Sequence, residues 1–320
     1  MVFIVIGLFS LFFTLNRANI VGFEKAQIII PMCAAILFLI LFIINELRSK
    51  HPLIDFDLLK NPVYTSSVLM RIGVGASFFS ILFVLAIYLQ HILDFTPVMA
   101  GVYYLPMTII MGIIPPFFGR IQKCIGALIP VYLGMLLIII SLTYFNLLNL
   151  TEFSFGKIFL TLFLFGLGIG LILPSNIIIA LQDVSKRLMG LGVGLLYTCI
   201  LLSGTTLVIF STIIIKDYGT RHARYELRKD RVALTPTQDI DLQNAVTGLK
   251  ASTDFAKEFS VPERPLVSQA IRYGFEQAFF LILRVCILIC TITLVIFWIV
   301  QRIKHKKSLL LPDKEKSKKE

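Results

Sequence analysis

Long apolar runs with almost no charge constrain this chain more than any other feature of its sequence. Four of them cover residues 129–148, 158–181, 191–215 and 278–300. A helix needs about 20 mainly apolar residues to cross a bilayer, and its backbone polar groups bond within the helix itself. Hydrophobic residues make up 57% of the 320 positions and charged residues only 15%. The sequence therefore predicts an all-α integral membrane protein.

About eight spanning helices follow from the apolar runs. They are predicted near residues 1–15, 28–44, 63–89, 98–118, 129–148, 158–181, 189–215 and 277–301. The first is short, but it lacks the basic start and the small-residue cleavage site of a signal peptide, so we interpret it as a span. An even number of spans places both ends of the chain on the same side of the membrane.

Lysine and arginine residues predict which side that is. Eight of them follow Val300, and the short loops on the side of this tail carry seven against three on the other side. Because cytoplasmic loops carry the excess of positive charge, the C-terminus is predicted to be cytoplasmic. The basic tail covers residues 302–320, and its end, 312–320, is expected to be disordered.

Residues 216–272 form the one sizeable polar segment between predicted spans. It carries ten Lys/Arg residues, which is an exception to the charge bias, because the span count places it outside. It is too long and polar for an ordinary turn. Within it, Asp241–Phe259 is expected to form one or two short helices, with Leu242, Val246 and Leu249 as a rough apolar stripe.

The remaining chemistry of the sequence excludes several classes of protein. The net charge of +11 is explained by the tail and the polar segment, and no basic patch interleaved with aromatics predicts nucleic-acid binding. The five cysteines lie in or beside apolar segments and form no disulfide framework. No phosphate-binding loop, His-Glu-x-x-His or Gly-x-Ser-x-Gly motif is present. We therefore predict no enzyme activity, no metal site and no cofactor.

Charge inside the predicted spans is the first place to look for function, because burying it in a membrane is costly. Arg71 follows Pro62 by nine residues, which puts it about 13 Å into its helix. It could meet an anionic substrate group or a carboxylate, snorkel to the headgroups, or form a structural ion pair. Arg284 could snorkel outward. No Asp or Glu lies deep in a predicted span, so the sequence lacks an evident proton carrier.

Polar and small residues in the spans suggest a pathway and close helix packing. The positions that could line a cavity for amphipathic cations or aromatic drugs, with Arg71, are Tyr103, Tyr104, Asn176 and Tyr197. Interhelical hydrogen bonding is the simpler explanation for each of them. The run Gly166, Gly168 and Gly170 with Pro174 lets helix backbones approach closely and suits either a static bundle or one that rocks during transport.

Three stretches resemble a known family. Residues 46–61, Glu-Leu-Arg-Ser-Lys-His-Pro-Leu-Ile-Asp-Phe-Asp-Leu-Leu-Lys-Asn, are similar to the segment entering the C-terminal half of the major facilitator superfamily, specifically its fourteen-helix drug:proton antiporters. Residues 88–101, with Tyr-Leu-Gln and Thr-Pro-Val-Met-Ala-Gly, and residues 166–171, Gly-Leu-Gly-Ile-Gly-Leu, resemble further signatures of this family. The resemblance implies two linker helices in residues 1–50 and a six-helix transport bundle in 51–301.

The inner loop departs from the family pattern. Residues 119–128 occupy the place of a Gly-x-x-x-Asp-Arg-x-Gly motif, whose acid latches helices in the family. Gly119 is present, but Lys123 stands where the Asp is expected. The resemblance implies a packing or gating role for Gly119, Arg120 and Lys123, and the missing acid puts that gating in doubt.

The family resemblance implies a function and partners. It implies the C-terminal half of a proton-coupled multidrug efflux transporter in a bacterial inner membrane, exporting amphipathic drug-like substrates. The family's first six helices have no counterpart here, so we expect transport to require an N-terminal half from another chain. A periplasmic adaptor and an outer-membrane channel are further expected partners beside the lipid bilayer. Two alternatives remain: a membrane interaction module that uses residues 216–272, and the remnant of a split or degraded transporter gene.

Overall fold

The computed structural model of this protein describes residues 2–21, 26–48, 56–148, 155–232, 234–250 and 252–310. These residues contain helices and no strand. The twelve α-helices among them are α1 (Val2–Val21), α2 (Ala26–Arg48), α3 (Phe56–Lys60), α4 (Pro62–Ile87), α5 (Pro97–Ile125), α6 (Leu128–Leu147), α7 (Phe155–Leu181), α8 (Met189–Ile214), α9 (Thr220–Lys229), α10 (Pro236–Val246), α11 (Ser252–Ala256) and α12 (Arg264–Leu310). The predicted disordered tail, 312–320, lies outside the described residues.

Local sequence signals explain where several helices begin. Asn61 caps α4, because its Oδ1 accepts the backbone N–H of Val63 at 2.9 Å, and Pro62 occupies the first helical position, where no N–H is needed. Thr235 caps α10 with Gln238 in a reciprocal capping box. Two π-helical turns, Tyr88–Ile92 and Ile215–Gly219, continue α4 and α8 directly.

Seven helices among the described residues are long and apolar enough to cross a membrane. They are Ile29–Glu46, Pro62–Ile92, Pro97–Ile125, Leu128–Leu147, Phe155–Leu181, Met189–Lys229 and Arg264–Lys306. The predicted first span corresponds to a shorter apolar helical stretch, Val5–Thr14. Large apolar side chains are widely exposed, for example Phe9 at 71% and Ile30 at 69%, as expected of helices whose solvent is lipid. The prediction of an all-α membrane fold is confirmed.

Packing divides the chain into two compact units. Unit one contains Met1–Asp55, Phe78–Ala100 and Gly204–Ile282, and unit two contains Phe56–Ser77, Gly101–Ser203 and Leu283–Glu320. The linker-helix and bundle boundaries at residues 50 and 301 stay a prediction.

Unit two is held by close helix contacts and a small apolar cluster. Its α6 and α7 approach so closely that a Cβ on Gly168 would lie 2.6 Å from the carbonyl oxygen of Gly134. The fully buried Tyr64 hydroxyl donates to the carbonyl of Gly192 at 2.8 Å. The cluster around this tyrosine contains Leu58, Tyr64, Val68, Ala180, Val184 and Leu196.

Unit one contains a stacked aromatic group and a close backbone contact. The ring of Tyr88 stacks on Phe275 and Phe279 of α12, with centroid distances of 5.9 and 6.5 Å. A Cβ on Gly274 would lie 2.4 Å from the carbonyl oxygen of Gly219. Both π-helical turns therefore pack against the same part of α12, around residues 274–279.

The polar segment 216–272 is more helical than predicted. The seventh predicted span continues through the second π-helical turn into α9, and the last helix begins at Arg264 rather than near residue 277. Extending an existing helix costs little once its first turn has formed. Two short helices, α10 and α11, cover most of the region in which one or two were expected.

The predicted apolar stripe of this segment is partly wrong. Leu242 and Val246 are fully buried, but Leu249 is 77% exposed. The backbone of Gly248 has φ +78°, a left-handed conformation that ends a helix. The chain therefore leaves the helical path before Leu249, and helical spacing no longer applies to that residue.

Candidate functional site

Arg71 lies within α4, and its side chain is enclosed in unit two with only 1% of the residue exposed. Its Nε donates to Asn176 Oδ1 at 2.9 Å, and its Nη2 donates to the backbone carbonyl of Leu173 at 2.5 Å. Both acceptors belong to α7. The guanidinium therefore binds a neighbouring helix instead of extending to the headgroups at the end of its own.

The charge of Arg71 is only partly compensated. Its buried Nη1 has no hydrogen-bond partner, and no carboxylate within the described ranges forms an ion pair with it. The Tyr197 ring lies 5.6 Å from the guanidinium carbon, which gives a weak cation–π attraction. A buried cation without a counter-ion is costly, so the site retains a strong donor for an acceptor from elsewhere.

Asn176, which accepts a hydrogen bond from Arg71, is itself buried and forms a further hydrogen bond. It is 1% exposed, and its Nδ2 donates to the backbone carbonyl of Ser67 on α4 at 3.4 Å. Two residues earlier, Pro174 has no N–H, so the carbonyl of Gly170 lacks its usual donor within the helix. The Asn176 side chain that binds Arg71 and the proline that weakens α7 therefore lie within one turn of this helix.

The three glycines of the predicted run face two different helices. A Cβ on Gly166 would lie 2.4 Å from the carbonyl oxygen of Met107, and one on Gly170 would lie 3.1 Å from Ile114, both on α5. Gly168 instead faces Gly134 on α6. Any larger side chain at Gly166 or Gly168 would force backbone atoms apart. Their role in gating stays a prediction.

The predicted tyrosines do not gather at one place. Tyr197 is 49% exposed beside Arg71, whereas Tyr103 is 7% exposed and its ring packs edge-on against Phe155 at 5.1 Å. Phe155 precedes Asn176 by 21 residues on α7, which corresponds to about 30 Å along the helix. Tyr104 is half-buried on the same helix as Tyr103. A substrate pathway lined by all three tyrosines would therefore extend along most of the length of α7.

The inner-loop residues are solvent-accessible. A Cβ on Gly119 would meet no atom within 4 Å, and Arg120 and Lys123 are exposed near the end of α5. The loop turns at Gly126, which has φ +75°. Nothing in this geometry requires the small residue at 119, and the gating role of the loop stays a prediction.

A buried carboxylate that the sequence did not reveal lies in unit one. Glu276 is 5% exposed, and its Oε1 lies 3.1 Å from Arg272 Nε and 3.5 Å from the Tyr88 hydroxyl. Arg272 Nη2 donates to that hydroxyl at 3.3 Å. The predicted span began at residue 277, so Glu276 counted as a loop residue. The longer α12 places it inside a helix.

The polar segment itself carries ordinary surface charge pairs. Lys250 is bonded to Glu258 and, at 3.1 Å, to Asp241, and these hydrogen bonds raise the pKa of the lysine. The hydrogen bond from Lys257, at 2.7 Å, lowers the pKa of the Asp254 carboxyl. Exposed pairs of this kind contribute little stability, and they need no ligand to explain them.

A family comparison decides the class of this protein. Residues 1–207 match the sequence profile of the Major Facilitator Superfamily. The chain belongs to the Major Facilitator Superfamily. The matched residues include the Arg71, Asn176 and Tyr197 site.

Individual superfamily members with sequence similarity include proteins named for drug resistance. The chain is 23% identical over 260 residues to the uncharacterized MFS-type transporter YhcA of Bacillus subtilis, covering 80% of this chain and 48% of that protein. It is 24% identical to the multidrug resistance protein Stp of Mycobacterium tuberculosis, over 55% of this chain and 32% of that protein. With the tetracenomycin C resistance and export protein of Streptomyces glaucescens, identity is 25% over 62% of this chain and 37% of that protein. The chain thus spans about half or less of the length of these relatives.

Proposed function

We propose that this chain forms the C-terminal transport bundle and linker helices of a proton-coupled drug exporter in a bacterial inner membrane. The observation that carries the proposal is the buried, incompletely bonded Arg71 in a chain of this superfamily. Support comes from relatives named for multidrug resistance and for the export of an antibiotic. The charge bias of the short loops supports a cytoplasmic C-terminus.

The proposed substrate site uses the free donor of Arg71. The guanidinium is held by Asn176 and Leu173 through Nε and Nη2, which leaves Nη1 for a substrate oxygen. A site whose buried donor stays unpaired without its ligand discriminates strongly for that ligand. We assign carbonyl-bearing or anionic drug-like compounds to this site. The half-exposed Tyr197 ring beside it would stack on aromatic parts of the same compounds.

An accumulation assay tests the export function. Efflux-deficient bacteria expressing the chain, with and without the six-helix N-terminal half of a superfamily drug exporter, are loaded with a fluorescent carbonyl-bearing aromatic dye. We expect lower dye accumulation only when both halves are present. Arg71→Ala should abolish the difference, because it removes the donor, whereas Arg221→Ala, which removes an exposed arginine of α9, should preserve it.

Two results would contradict this proposal. The chain fails as an exporter if dye accumulation is unchanged with both halves present and both detected in the membrane. The assignment of the substrate site fails if Arg71→Ala exports the dye as well as the unaltered chain does.

Proton coupling is assigned to Glu276. A buried carboxylate can bind and release a proton, and protonation would remove its charge attraction to Arg272. Its other neighbour, the Tyr88 hydroxyl, lies at the start of a π-helical turn, and such turns occur often at functional sites. The groups facing Glu276 therefore belong to its own helix and to the end of α4, so protonation would change how two helices are held together.

A further inference from the structure

A cavity of about 520 Å³ lies in unit two and is lined by parts of three helices and by the turn after a fourth. Its lining residues are Lys60, Asn61, Pro62, Val63, Asp183, Val300, Ile303 and Lys304. They come from the end of α3 and start of α4, the turn after α7, and the C-terminal part of α12. The volume is within the range typical of small-molecule and cofactor sites.

The lining combines an apolar wall with two ammonium groups. Val63, Val300 and Ile303 are aliphatic, and Lys60 and Lys304 supply the positive charge. Asn61 already accepts the N–H groups of Val63 and Tyr64, at 2.9 and 3.3 Å. The first amides of α4 are therefore largely satisfied, and the charge that an anion would meet comes from the lysines.

Among the described lining residues, the one acid is engaged with Lys304. Lys304 Nζ lies 2.5 Å from Asp183 Oδ2, and the two side chains are 42% and 47% exposed. An exposed pair of this kind is weak, so a stronger anion can replace the carboxylate. A phosphodiester close to Lys304 would compete with Asp183 directly.

The surroundings of the cavity have the character of a membrane interface. Arg302 lies 5.0 Å from the ring of Trp298, the one tryptophan of the sequence, and tryptophan is enriched where headgroups meet hydrocarbon. Lys186 and Arg187 are exposed in the turn that carries Asp183. The positive charge at these helix ends is complementary to an anionic headgroup, and the aliphatic wall is complementary to acyl chains.

We propose that this cavity binds one anionic phospholipid. Its phosphate would lie between Lys60 and Lys304, and the first part of its acyl chains would lie against Val63, Val300 and Ile303. Basic pockets between membrane helices bind such headgroups through this combination of charge and apolar surface. The inference is independent of export and of the side of the membrane on which the cavity lies.

Native mass spectrometry of the purified full chain in neutral detergent tests the proposal. The detergent-solubilised protein is titrated with phosphatidylglycerol or with phosphatidylcholine, and the fraction carrying one lipid is measured. We expect saturable binding of one phosphatidylglycerol and much weaker binding of phosphatidylcholine. Lys304→Ala should weaken phosphatidylglycerol binding about fivefold, since one lysine near the lipid phosphate is removed.

The Asp183→Asn variant distinguishes a role of Lys304 in lipid binding from a role in folding alone. It breaks the same ion pair as Lys304→Ala but leaves the lysine free, so phosphatidylglycerol should bind more tightly than to the unaltered chain. If the ion pair mattered only for folding, both variants would change binding in the same direction. Lys123→Ala, which removes an exposed lysine outside the cavity, should leave binding unchanged.

Three outcomes would overturn the proposal. The first is equal binding of the two lipids, and the second is an effect of Lys123→Ala as large as that of Lys304→Ala. The third is displacement of the bound lipid by inorganic phosphate at equal concentration, which would show that a simple anion suffices and that the apolar wall plays no part.

Discussion

Glu276 is the residue whose environment most directly predicts a pH-dependent phenotype. If it carries the coupled proton, Glu276→Gln cannot exchange that proton, while its amide still reaches Arg272 and the Tyr88 hydroxyl. Export by the two-half system should then lose its dependence on an imposed pH gradient. The measurement is dye efflux from loaded cells at external pH 6 and 8, with the cytoplasm near pH 7.5.

Glu258→Gln is the matched control for this experiment. Glu258 is an exposed glutamate whose partner is Lys250, so its replacement removes the same charge outside the buried cluster. It should leave the pH dependence intact. Unaltered pH dependence in the Glu276→Gln protein would mean that another group carries the proton.

The spacing of residues predicted the depth of Arg71 but not its bonds. Nine helical residues after Pro62 put Arg71 well inside α4, while the depth of its guanidinium in the membrane stays a prediction. Its acceptor Asn176 is 105 positions away, and nothing in a single sequence pairs two residues over such a distance. Glu276 was missed for a different reason, because hydropathy locates the apolar part of a helix and not the helix end.

At the scale of helices, Gly168 predicts a stability effect that a matched glycine does not share. A Cβ at Gly168 would lie 2.6 Å from the backbone carbonyl of Gly134, while a Cβ at Gly194 would meet no atom within 4 Å. Gly168→Ala should therefore lower the thermal unfolding midpoint in detergent, because a backbone has to move. Gly194→Ala should leave it unchanged or raise it slightly, because alanine favours helix over glycine.

One result from these two alanine variants would contradict the prediction. Equal midpoints for both variants would show that α6 and α7 are not packed backbone to backbone at Gly134 and Gly168. The far-ultraviolet circular dichroism of each variant serves as the check that helix content is retained before heating.

The sequence indicated helices more reliably than it indicated their ends. Apolar runs locate the start of six of the seven long helices within about three residues, because hydrocarbon requires a minimum apolar length. The last helix instead starts at Arg264, in sequence too polar for a hydropathy signal. The π-helical turns at 88–92 and 215–219 were not predicted either. Both contact α12, and the residue types of one segment carry no information about a contact with a distant helix.

At the scale of the whole molecule, the proposed function depends more on family membership than on the geometry of the side chains. The match covers residues 1–207, and the relatives named for drug resistance are about three times as long as their aligned regions. The substrate site proposed at Arg71 lies inside that match. The buried Glu276 lies beyond it, so its role depends on the contacts of this chain alone.

The central proposal is that the chain crosses a membrane repeatedly, with the C-terminus inside and residues 216–263, the part of the polar segment that precedes α12, outside. Cysteine accessibility tests it most directly, in a version of the chain whose five cysteines are replaced. Leu249→Cys, at a position 77% exposed, and Lys306→Cys are each treated in intact cells with a membrane-impermeant maleimide. We expect labelling at 249 in intact cells and at 306 only after permeabilisation. Labelling at 306 in intact cells, with 249 protected until permeabilisation, would contradict it.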